Sequence, residues 1–110
     1  MDTRKRLADV RRRTDAYGLD GSFREYVAFV NGYDMAWNDT QDDHRLLAGF
    51  SRWLGEQLGG GGNVVWWNLV LRLALPEMPV DTAHRDLNAD QDRAASDTLF
   101  TLLDHYLSGE

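Results

Sequence analysis

The 110-residue chain contains no cysteine. That absence excludes a disulfide scaffold, a cysteine-ligated zinc ribbon and a thiol nucleophile, and makes a reducing, cytoplasmic setting the expectation. Lysine occurs once against eleven arginines, and the two prolines, Pro76 and Pro79, fall together in one loop. No apolar run reaches the roughly 20 residues that a membrane span requires. The longest, Val64 to Leu75, is interrupted by Asn68 and Arg72. The basic start Arg4-Lys5-Arg6 is followed by no apolar segment, so neither a secretory leader nor a membrane partner is expected.

Chemical motifs are equally scarce. The three histidines, His44, His84 and His105, contain no pair four residues apart and no HExxH, which argues against a zinc site. His44 beside Asp42 and Asp43 reads as an exposed first-turn residue. Asp39-x-Gln41-x-Asp43 lacks the glycine and the closing glutamate of a calcium loop. Gly59 to Gly62 are not followed by the lysine and hydroxyl residue of a phosphate loop, and they predict the most mobile loop of the chain. No GxSxG, Ser-His-Asp or paired-glutamate arrangement points to an enzyme, and no cofactor or metal is expected.

Charge is what the chain does have, unevenly placed. The net charge is −6, yet residues 1–13 carry +4 and the remaining residues −10. Most of the molecule would repel a phosphate backbone, so a nucleic-acid partner is disfavoured. An acidic body favours a basic protein partner and speeds the encounter with it. Solubility alone is the plainer explanation of the same charge. The basic segment reads as the solvated face of a first helix, because Leu7, Val10 and Tyr17 recur through it at near-helical spacing. A nucleic-acid arm is the other reading.

Periodicity predicts an all-α, single-domain bundle of about five helices. The first spans about Thr3 to Thr14 and ends before Tyr17-Gly18-Leu19-Asp20-Gly21, a turn with two glycines. Ser22-Phe23-Arg24-Glu25 fits a capping box at the start of the second, whose inward stripe is Phe23, Tyr26, Val27, Val30, Tyr33 and Trp37. Gly32 inside it costs about 1 kcal/mol relative to alanine, which predicts a close neighbour there. The third starts near Thr40-Gln41-Asp42-Asp43 and buries Leu46, Leu47, Phe50, Trp53, Leu54 and Leu58. The fourth, Asn63 to Leu75, alternates over Leu69–Leu75 like a strand, but no second strand exists to pair with it. Ten of its twelve residues from 64 to 75 are apolar, which predicts a central, buried helix capped by Asn63 and stopped by Pro76. The last runs from Asn88–Asp90 to about Leu107, with Ala95, Leu99, Leu102, Leu103 and Tyr106 inward.

Three groups are candidates for function. Asp34, Asp39, Asp42 and Asp43 form the densest carboxylate cluster. They read either as favourable charges near a helix start or as a contact patch for a cationic surface. Trp66 and Trp67, about 100° apart on one helix, are both core if that helix is surrounded; an exposed one is a candidate anchor for a partner. Arg72, amid Leu71, Leu73 and Leu75, must snorkel or pair with a carboxylate.

The stretch from Arg11-Arg12-Arg13-Thr14-Asp15-Ala16-Tyr17-Gly18 through Ser22-Phe23-Arg24, Ala28-Phe29 and Gly32-Tyr33 to Phe50, Trp53 and Leu54 resembles a small family of bacterial helical proteins. Members of that type open with an Arg-rich helix that ends in a Tyr-Gly turn, and several resemble immunity proteins that neutralise toxins. The similarity covers roughly residues 11–55, with Ala16 where a methionine is usual, and it implies no active-site residue. The expected function is a non-enzymatic binding domain that occludes a more basic partner, a toxin on the strength of the resemblance. A scaffold that homodimerises through Val64–Leu75 is the alternative, and a small enzyme using Asp or His with Arg72 the third.

Overall fold

The computed structural model describes residues 3–40, 46–59, 65–78 and 86–108, the side chains of 37–40 and 46 excepted. Among the described residues five α-helices follow one another: α1 (Thr3–Arg12), α2 (Phe23–Thr40), α3 (Leu46–Gln57), α4 (Trp66–Ala74) and α5 (Ala89–Ser108). A short 3₁₀ turn, Thr14–Tyr17, links α1 to the glycine turn. There Gly18 and Gly21 hold φ of 75° and 87°, a left-handed backbone that glycine adopts without strain. Among the described residues no strand forms, so the alternation in Leu69–Leu75 yields to the helical pattern around it.

The last helix organises the bundle. α5 packs on each of the other four, while α3 and α4 also pack on each other. Its residues Ala95, Leu99 and Leu103 are buried against Leu7 and Val10 of α1, Phe23, Val27 and Val30 of α2, and Phe50 and Leu54 of α3. Full burial of a side chain such as Phe23 or Phe50 contributes roughly 1.5–3 kcal/mol. α4 is short but deeply set, with Trp66, Leu69, Val70 and Leu71 all buried. Val65 stands at its start without a side-chain cap, and the expected cap Asn63 and the four-glycine loop from Gly60 onward lie outside the described residues.

Helix starts are stapled in two ways. Ser22 accepts the Glu25 amide at 3.2 Å, the hydroxyl half of the expected capping box, while the Ser22 amide is taken by Asp20 at 2.8 Å instead of by Glu25. Asn88 and Gln91 make the reciprocal pair at the start of α5, at 2.8 and 2.9 Å. The other staples cross between helices. The Asp92 carboxylate of α5 accepts the first amide of α2, Phe23, at 3.0 and 3.2 Å. Asp34 of α2 accepts the Leu47 amide at the start of α3, at 3.0 Å. The expected cap of α3 at Thr40 is therefore corrected: Thr40 is still helical, the last residue of α2.

The close approach expected at Gly32 occurs at Gly49 instead. A Cβ on Gly32 would have nothing within 4 Å, whereas one on Gly49 would fall on the Tyr106 hydroxyl, with the ring carbon Cζ at 3.2 Å. Tyr106 reaches across α3 to join Phe50 and Trp53, at centroid distances of 5.5 and 5.8 Å. The two glycines should therefore respond oppositely to alanine. Gly32→Ala should raise stability by up to about 1 kcal/mol through helix propensity. Gly49→Ala should lower it by about 1–3 kcal/mol by displacing the Tyr106 ring. Thermal and urea unfolding of the two variants measure both signs.

Candidate partner-binding site

The most tightly tied polar cluster joins the end of α1 to the 3₁₀ turn. Asp9 is buried, and its carboxylate accepts Arg12 Nη2 at 2.8 Å, Arg13 Nε and Nη2 at 2.9 and 2.7 Å, and the Tyr17 hydroxyl at 2.6 Å. Those contacts, the Arg13 fork foremost, hold the Asp9 carboxyl well below the usual carboxylate range. The spacing explains the geometry: Asp9 lies three and four residues before two arginines, so all three meet at the helix end. Tyr17 turns its ring edge-on to Phe29, which stacks on Tyr33, and the Tyr33 hydroxyl meets Thr3 at 3.2 Å. Thr14 bonds the Tyr26 hydroxyl at 2.7 Å.

A second arrangement fastens α1 to α5. Arg4 pairs with Asp104 at 2.6 Å and Arg11 pairs with Asp97. Both partners are seven residues apart on each helix, so the two pairs form successive rungs between the helices. Arg11 also lies over the Tyr26 and Phe100 rings, 5.7 and 5.4 Å from their centroids. Four of the six cations in residues 1–13 thus have an aspartate partner within the chain. The basic start is a face of α1 turned to internal carboxylates as well as to solvent.

The expected contact residues separate. Asp34 is 7% exposed and serves the Leu47 amide, so the reading of it as part of an exposed patch is corrected. A carboxylate buried as a cap across helices has its acceptor engaged inward. Asp39 lies in the last turn of α2, and Asp42, Asp43 and His44 lie outside the described residues, as does His84. Trp66 is buried and donates its indole N–H to Asn31 Oδ1 at 3.0 Å, which makes it core and removes it as an anchor. Trp67, one residue on, is half-buried and keeps an outer edge. Arg72 is half-buried, and its Nε has no hydrogen-bond partner among the described residues. His105 is exposed on α5.

Sequence reasoning treated Asp9 only as a charge and missed its role. The signal was present in the spacing of Asp9, Arg12 and Arg13. The large apolar side chains exposed among the described residues are Met35, at 67%, and Val65. Among those residues no helix is long and apolar enough to cross a membrane, and no cluster of metal-ligating side chains occurs. No known protein family, characterised protein or solved structure matches the chain.

The Asp9 cluster has a pH signature. The folded carboxyl titrates below its unfolded counterpart, so its contribution is complete above about pH 4 and fades as pH falls toward the folded value. Asp9→Asn should lower the melting temperature clearly at pH 7. The gap from the natural chain should narrow steadily between pH 4 and pH 2, as read by calorimetry. A gap that stays constant with pH would show that packing, not the charge, sets the effect.

Proposed function

We propose that this domain is a non-enzymatic protein-binding module, an immunity-type inhibitor that occludes a more basic partner. One observation carries the reading: Arg4, Arg11, Arg12 and Arg13 of the basic start pair with aspartates of the same chain, while the net charge stays at −6. The charge that remains in excess is negative, and it steers encounter with a positive surface. Asp39, Asp42 and Asp43 form the acidic rim of the contact, and the outer edge of Trp67 is its aromatic anchor. The resemblance of residues 11–55 to immunity-type proteins agrees with a role in toxin neutralisation. Homodimerisation through 64–75 draws less support, because Trp66, Leu69, Val70 and Leu71 are buried within the chain.

The reading expects a secreted effector encoded in an adjoining gene, and the test is direct binding to it, by calorimetry at low and high salt. Affinity should fall with salt. Reversing Asp39, Asp42 and Asp43 to lysine together should weaken it by about tenfold or more. A genomic neighbourhood without a secreted effector, or a complex indifferent to both salt and charge reversal, overturns the reading.

A further inference from the structure

The starts of α2 and α5 meet at a cleft of about 430 Å³ whose walls include Arg11, Asp20, Ser22, Asp92, Arg93 and Ser96. Ser96 is 1% exposed, and its hydroxyl has no hydrogen-bond partner among the described residues. A buried hydroxyl left unpaired carries a desolvation penalty that a ligand atom would relieve.

The charges decide the sign of that ligand. Both arginines already face a carboxylate. Arg11 pairs with Asp97, and Arg93 stands 3.7 Å from Asp90. The two carboxylates of the cleft have no salt-bridge partner among the described residues. Asp92 accepts the Phe23 amide and Asp20 accepts the Ser22 amide at 2.8 Å. A carboxylate offers about four acceptor positions, so both retain capacity. The positive end of α2 is already met by Asp92, so it adds little pull on an anion. The walls thus hold two aspartates free of salt bridges among the described residues, against two arginines that each already face a carboxylate outside the walls. Asp92 and Ser96, four residues apart, share one face of α5 and can meet a single small group.

We propose that this cleft is a primary-ammonium subsite that takes a lysine side chain of the basic partner. The ammonium is a compact charge with three donors, which matches the Asp20 carboxylate, the Asp92 carboxylate and the Ser96 hydroxyl oxygen. This assignment rests on the reading of the domain as a binder of basic protein, and it adds a contact at the opposite end of α2 from Asp39. The 18 residues of that helix set the two contacts about 27 Å apart.

The full chain, labelled with ¹⁵N, is titrated with Nα-acetyl-lysine amide and followed by NMR. Saturable shifts are expected at the amides of Gly21, Ser22, Asp92 and Ser96, with none from tetramethylammonium or inorganic phosphate. Ser96→Ala removes the unpaired hydroxyl, so the variant should fold at least as stably while binding the amine about tenfold more weakly. Asp20→Asn, at an exposed position, should weaken binding similarly. No saturable shift, phosphate binding in the cleft, or unchanged affinity in both variants overturns the proposal. Binding of putrescine without binding of the lysine derivative would assign a free polyamine and overturn the lysine assignment. No protein partner enters this titration, so its failure is separate from failure of the inhibitor reading.

Discussion

Asp92 belongs to α5, yet its carboxylate completes the start of α2, and Asp34 of α2 does the same for α3. A helix start leaves amides without partners inside the helix, and satisfying them contributes about 0.5–2 kcal/mol at each end. Here that contribution arrives only when two helices are already side by side. Helix formation and helix packing are therefore coupled, and the glycine turn between α1 and α2 is held where Ser22 and Asp92 both reach the same helix end.

The same economy governs charge. The basic first helix pairs Arg4 and Arg11 with α5 and turns Arg12 and Arg13 onto Asp9. Exposed pairs such as Arg4–Asp104 contribute little individually, about 1 kcal/mol or less. Their larger consequence is electrostatic: Asp97 and Asp104 offset part of the positive charge of the first segment.

Aromatic packing supplies the rigidity beneath that surface. Phe50 is ringed by Trp53, Trp66 and Tyr106 at centroid distances of 5.5 to 6.1 Å. Gly49 lets the Tyr106 ring approach α3 closely. Trp66 is fixed at both ends, its rings in this cluster and its N–H on Asn31. The neighbouring Trp67 is half-buried and packs against the same core.

Helix positions, the two-glycine turn, the Ser22 and Asn88 starts and most of the core were legible in the amino-acid sequence. Each follows from local rules: apolar spacing of 3.6 residues, a hydroxyl or amide before a helix, glycine where φ is positive. What was not legible is every interaction between residues distant in the chain. Asp34 looked like a surface acid because nothing near it in sequence needs a carboxylate. Gly32 looked crowded and Gly49 ordinary because spacing within one helix does not say which ring another helix will bring. The sequence by itself determined which segments coil and which faces are oily. Only the tertiary structure decided which acids cap, which cations are neutralised and which hydroxyl is left unpaired, because those outcomes depend on distances of a few ångströms between separate helices.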